Sequence, residues 1–78
     1  MNLTQIYQAL AILMDDAGVP KNVKLRLSGM MSELDSSSNV PIVVNKMLYE
    51  LEELSNDINL QPFVRTQLWN IASMLETV

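Results

Sequence analysis

PKNVKLRLSGMMSELDSSSNVPIVVNKMLYELEELSNDINLQP, residues 20–62, begins and ends on proline and carries a third at its midpoint. Pro20, Pro41 and Pro62 therefore stand a constant 21 residues apart. Proline has no N–H to donate and a φ already near the helical value, so it sits well in the first turn of a helix. Evenly spaced prolines predict evenly spaced helix starts, each interval holding one helix of roughly 15 residues and a short connection. A further unit fits ahead of Pro20. The expected fold is all-α, a four-helix bundle with helices over about residues 2–16, 20–34, 41–56 and 62–77 of a single domain spanning 1–78.

The apolar residues support that division. Leu3, Ile6, Tyr7, Leu10, Leu13, Met14 and Ala17 follow the i, i+3, i+4, i+7 rule on one stripe. Asp16-Ala17-Gly18 breaks it, and Gly18 suits a helix C-terminus. The second helix aligns Val23, Leu27, Met30, Met31 and Leu34, but Gly29 weakens it by about 1 kcal/mol relative to alanine and invites an early end or a kink. Asp35-Ser36-Ser37-Ser38-Asn39 reads as a loop able to cap the next helix. The third helix turns Val44, Met47, Leu48, Leu51 and Leu54 inward, and Asn56-Asp57-Ile58-Asn59 forms a turn. The fourth aligns Val64, Leu68, Ile71, Ala72 and Leu75. Strand-like alternation is absent.

A repeat underlies the spacing. Leu27, Leu48 and Trp69 stand seven residues past the prolines, and Met30, Leu51 and Ala72 ten past; Ile6 and Ala9 match in the first unit. Half against half, an offset of 41 pairs Leu10, Leu13, Asp16, Val23, Leu27, Ser32 and Leu34 with Leu51, Leu54, Asp57, Val64, Leu68, Ser73 and Leu75. Two similar helical hairpins give such matches; so does shared periodicity in a leucine-rich chain. Two hairpins are too few for a solenoid, and short connections favour a closed up-and-down bundle.

Leu51-Glu52-Glu53-Leu54-Ser55-Asn56-Asp57, followed by Pro62, Val64-Arg65-Thr66, Trp69 and Leu75-Glu76, resembles the small archaeal uncharacterised protein family numbered 0147. Val19-Pro20-Lys21-Asn22-Val23-Lys24 resembles the same family's second helix start, and the overlap spans most of residues 10–77. Ile58 departs from the family pattern, which places a proline after Asp57, and Pro62 lies one residue away from its expected place. The resemblance implies a four-helix bundle of mirror-variant up-and-down topology and carries no activity, cofactor or site residue with it.

Composition excludes several classes of function. Net charge is −4 over 78 residues, which disfavours a general affinity for phosphate backbones. With no cysteine there is neither disulfide nor thiolate chemistry, and secretion is not supported. Met1 to Gln8 lacks a basic signal region, and the longest apolar run, Ala9 to Met14, is far too short for a bilayer. The expectation is a soluble cytoplasmic domain with no membrane contact. The absence of histidine removes the commonest general base and, with cysteine, the usual soft metal ligands. Asp15-Asp16 and Glu50, Glu52, Glu53 and Asp57 are the acidic clusters; they read as solvated faces, and neither metal nor cofactor is expected.

Lys21, Lys24 and Arg26 group at the start of the second helix without the longer basic stripe and stacking aromatics of a nucleic-acid footprint. More telling are the apolar residues that point away from their own core stripes: Ile12, Leu25, Ile42, and Phe63 with Met74 along one line of the fourth helix. Trp69 sits about 100° from the centre of that helix's inward stripe, at the boundary. These six residues are the candidate interface, with Phe63, Met74 and Trp69 as anchors. The expected function is non-enzymatic: a protein–protein interaction module, either a small homo-oligomer such as a homodimer or an adaptor docking an unidentified partner through the fourth helix. The alternative is a nucleic-acid-associated accessory protein using Lys21, Lys24 and Arg26.

Overall fold

Four apolar stripes, one per helix, account for the architecture of the computed structural model, which describes residues 3–36 and 38–77. The helices are α1 (Leu3–Asp15), α2 (Lys21–Ser36), α3 (Val40–Ser55) and α4 (Pro62–Glu76). Each packs on its neighbours in chain order, and α4 closes the ring against α1. With connections this short, successive helices run antiparallel, as an up-and-down bundle requires. The bundle measures 34 × 19 × 17 Å. The expected start of the first helix at Asn2 and Ser37 of the expected loop lie outside the described residues.

The prolines keep their step of 21 but not a common register. Pro20 precedes α2, its carbonyl accepting from the Lys24 N–H at 3.0 Å. Pro41 is the second residue of α3, behind an Asn39 cap whose Oδ1 accepts from the Ile42 N–H at 3.4 Å, and Pro62 opens α4. Helices thus begin one residue after, one before and at their prolines. All three places tolerate a residue without an N–H, because the first turn has no acceptor for it.

The offset of 41 is the structural repeat. Ile6 and Met47, Leu10 and Leu51, Leu13 and Leu54, Val23 and Val64, Leu27 and Leu68, Met30 and Ile71, and Leu34 and Leu75 are all buried. The connections match as well. The Asp16 N–H donates to the Leu13 carbonyl at 3.1 Å, and the Asp57 N–H to the Leu54 carbonyl at 3.2 Å. The Asp16 carboxylate accepts from the Gly18 N–H at 2.7 Å, and that of Asp57 from the Asn59 N–H at 2.9 Å. Such an Asx turn replaces the lost helical acceptor with a side chain two residues back. In both hairpins it ends by burying one residue, Val19 or Leu60, each bonded to the aspartate carbonyl at 3.2 Å. Two similar hairpins build the bundle.

Several expectations need correction. Gly29 neither ends nor visibly interrupts α2, which runs on to Ser36. Gly18 has no positive φ, so it is present for room: a Cβ there would stand 3.1 Å from the Phe63 ring and 3.2 Å from the Asp16 carboxylate. Ala17 is exposed, because α1 has ended before it. Val43, Ser55, Val19 and Leu60 are buried beyond the expected core, the Ser55 hydroxyl donating to the Glu52 carbonyl at 2.9 Å.

A Cβ at Gly29 would meet nothing within 4 Å. Gly29→Ala should therefore raise the unfolding free energy in urea by about 0.5–1 kcal/mol. Leu27→Ala and Leu68→Ala, at equivalent fully buried sites, should each lower it by about 2–5 kcal/mol and by similar amounts.

Candidate functional site

The outer groove of the α3–α4 hairpin is the most developed surface feature. Two hollows follow it. One, of about 390 Å³, is lined by Leu48, Tyr49, Leu51, Glu52 and Ser55 of α3 and Trp69, Ala72 and Glu76 of α4. The other, of about 490 Å³, is lined by Val40, Pro41, Val44, Asn45, Leu48, Leu75 and Glu76. Leu48 and Glu76 belong to both, so the hollows form one trough. Its floor is aliphatic, and Tyr49 and Trp69 stand exposed beside it, at 66% and 53% of full accessibility.

The matching α1–α2 groove shows what is particular to this one. There a shallower hollow of about 400 Å³ is lined by Tyr7, Met31, Ser32 and Asp35. Across the offset of 41, Tyr7 stands for Leu48 and Met31 for Ala72. Both Tyr7 and Met31 are half-buried against the core. Gln8, Ala11 and Ser28 occupy the places of Tyr49, Glu52 and Trp69. The α3–α4 trough has the smaller Leu48 and Ala72 at these places, and its aromatic walls have no counterpart. Tyr7 itself is held above the usual tyrosine value near 10, first by partial burial and then by the Asp35 carboxylate.

Trp69 is fixed from one side by Arg65, whose guanidinium lies 5.8 Å from the ring centroid. The Arg65 Nε donates to the Ser55 carbonyl at 3.0 Å, tying the end of α3 to α4. A shallow hollow of about 160 Å³ beside Pro62, Arg65 and Thr66 exposes Trp69 from that end as well.

The candidate interface residues do not form one patch. Arg65, Trp69, Ala72 and Glu76 share the flank of α4 that faces α3. Phe63 and Met74 lie on the opposite flank, toward α1, and Phe63 meets Gly18. Met74 is not outward; it is half-buried and packs on the core. Ile12, 71% exposed, stands one turn from the half-buried Ala9, on the side of α1 away from Tyr7, which lines the α1–α2 hollow. Leu25 and Ile42, also exposed, sit apart on α2 and at the start of α3. The exposed Tyr49 and Ile58 were not expected. Tyr49 shows no periodic signal on its own helix; only the fold places it beside Trp69.

The basic cluster is divided too. Arg26 faces α3, where its guanidinium lies 3.6 Å from Glu50 and 3.4 Å from Glu53. Lys24, two residues back and half-buried, points to the other flank of α2. Lys46 and Glu33 form a further α2–α3 pair at 3.1 Å. Among the described residues no three acidic side chains converge as a metal site would need, and no helix is long and apolar enough to cross a membrane.

The sequence profile of the Uncharacterised protein family (UPF0147) matches residues 1–78. The chain belongs to this family. The UPF0147 protein of Sulfurisphaera tokodaii is 36% identical over 99% of this chain and 91% of its own length. That of Methanosarcina mazei is 33% identical over 97% and 83%, and that of Archaeoglobus fulgidus 32% identical over 97% and 87%. No solved structure matches the chain significantly. Membership in UPF0147 extends the resemblance, seen over most of residues 10–77, to the whole sequence.

Arg65→Ala removes a part-buried hydrogen bond and the cation over Trp69. It should lower unfolding free energy by about 1 kcal/mol and shift Trp69 emission to the red. Tyr7 supplies a pH signature. Its folded value lies above the unfolded one, so the unfolded chain loses the proton first. The stability Tyr7 contributes is complete below pH of about 10 and is lost as pH rises through the folded value. Urea midpoints of Tyr7→Phe should fall less than those of the parent over that alkaline interval.

Proposed function

We propose that this protein is a non-enzymatic interaction module that pairs with a second copy of itself through the α1–α4 seam. The observation that carries the reading is the distribution of charge. No charged residue occurs from Leu3 to Met14, and Arg65 alone occurs from Pro62 to Leu75. Arg65 is turned to the α3 side and occupied by Ser55 and Trp69. The seam between α1 and α4 therefore offers Ile12, Phe63 and neutral polar side chains, with one carboxylate, Asp16, near Phe63 at its end and bonded to the Gly18 N–H. Depletion of charge around exposed apolar and aromatic residues is the compositional mark of an interface centre.

The occupant follows from electrostatics. The chain carries a net charge of −4, so two copies repel unless they meet where carboxylates are sparse. In a two-fold dimer each face meets its own equivalent, and a neutral face meets itself without like-charge opposition. The α2–α3 seam lacks that property: it is laced by Arg26, Glu50, Glu53, Lys46 and Glu33.

Light scattering across a wide concentration range should give twice the 8.8 kDa chain mass. Ile12→Asp, at a site too exposed to disturb the core, should return the mass to that of one chain with the helical circular dichroism unchanged. Phe63→Asp should act in the same direction, with some loss of stability because its ring rests beside Gly18. A single-chain mass at every concentration, or a dimer untouched by Ile12→Asp, overturns the reading.

A further inference from the structure

The α3–α4 trough lies on the flank of α4 away from that seam and calls for a different occupant. We propose that it docks a basic amphipathic helix of a partner protein. The partner's apolar stripe would lie on Leu48 and Ala72, and its lysines or arginines would meet Glu52 and Glu76.

Charge complementarity carries the choice of partner. Glu52 and Glu76 line the trough, and no lysine or arginine lines either of its hollows. Among the described residues neither glutamate is in an ion pair, whereas Glu33, Glu50 and Glu53 all are. The two aromatic walls add faces that attract a cation. Arg65 takes up one side of Trp69 at 5.8 Å and shows that this ring accepts a guanidinium.

The shape favours a helix. Both walls are α-helices whose backbone groups are already paired, so there is no open edge to which an extended peptide could add a strand. Apolar hollows between two helices are filled by the apolar stripe of a third. From Pro41 to Ser55 the α3 wall is about 21 Å long at 1.5 Å per residue, room for about four turns. The α1–α2 hairpin supplies an internal control. It folds to the same core plan with Tyr7 and Met31 in place of Leu48 and Ala72, and with Gln8, Ala11 and Ser28 in place of Tyr49, Glu52 and Trp69. The open floor, the aromatic pair and Glu52 are therefore not what hairpin packing requires.

The inference shares with the reading above only the premise of a docking protein, and the two fail separately. Trp69 is the sole tryptophan, so its emission reports on the trough directly. The probe is a synthetic helical peptide of leucine and lysine, compared with one of leucine and glutamate bearing the same apolar stripe. The lysine peptide should give a saturable blue shift that weakens with salt, and the glutamate peptide none. Glu52→Gln with Glu76→Gln, and separately Tyr49→Ser, should each weaken binding about tenfold, the size of a lost interface anchor. Both sets of positions are exposed, and the light-scattering mass of these variants should equal that of the parent. Ile12→Asp should bind the lysine peptide as the parent does.

No saturable shift, an equal response to the glutamate peptide, or parent-like affinity in both groove variants overturns the proposal. So does a Trp69 shift on simple dilution, which would place a second copy in the trough. A shift with single-stranded oligonucleotide and none with the lysine peptide would likewise assign the trough to another partner and overturn it.

Discussion

Burial of one apolar stripe per helix is the constraint on which everything else depends. At 13 to 16 residues, these helices are of a length that is marginal in water alone. Each is held by its neighbours, through residues such as Ile6, Leu10, Leu27 and Leu68 that lose all contact with solvent. Surface ion pairs between α2 and α3 add little to that, since exposed pairs contribute less than about 1 kcal/mol each. What sets the alignment of the stripes is the pair of connections. Asp16 and Asp57 end their helices in the same turn, and Val19 and Leu60 then plug the same end of the core.

Because the hairpins are built alike, their surfaces can be compared position by position. The α2–α3 seam is ionic, the α1–α4 seam carries little charge, and the α3–α4 trough joins aliphatic floor, aromatic walls and carboxylates that form no ion pair among the described residues. A common core thus supports three faces of different chemistry.

Much of the architecture is legible in the sequence. Leucine spacing marks the four stripes, whereas the offset of 41 is matched equally well by shared helical periodicity until the two connections are seen to fold alike. The proline step is a weaker guide than it looks: the first turn of a helix accommodates proline at several positions, so a regular step does not impose a regular register. Val19 and Leu60 escape notice because they lie in connections, where no helical period singles them out. Propensity alone makes Gly29 a weak point, and tertiary packing along α2 overrides that cost.

The candidate site is less legible, and for a specific reason. A helical wheel gives the angle of Trp69 or Phe63 about its own axis but not which neighbour lies on that side. Only the cyclic order of the helices separates Trp69, beside α3, from Phe63, beside α1. Tyr49 joins Trp69 by that same order. Met74 looks outward on the wheel yet is half-buried and packs on the core.

The smaller side chains at the floor of the α3–α4 trough, Leu48 and Ala72, are not what the bundle core requires. Giving α3–α4 the residues of its counterpart tests this most directly: Leu48→Tyr with Ala72→Met, assessed by urea unfolding. The account predicts a cooperative unfolding curve with stability equal to the parent's or higher, because the added atoms fill an existing hollow. A loss of about 3 kcal/mol or more, the scale of an overpacked core, would contradict it and make the trough residues part of the folding core.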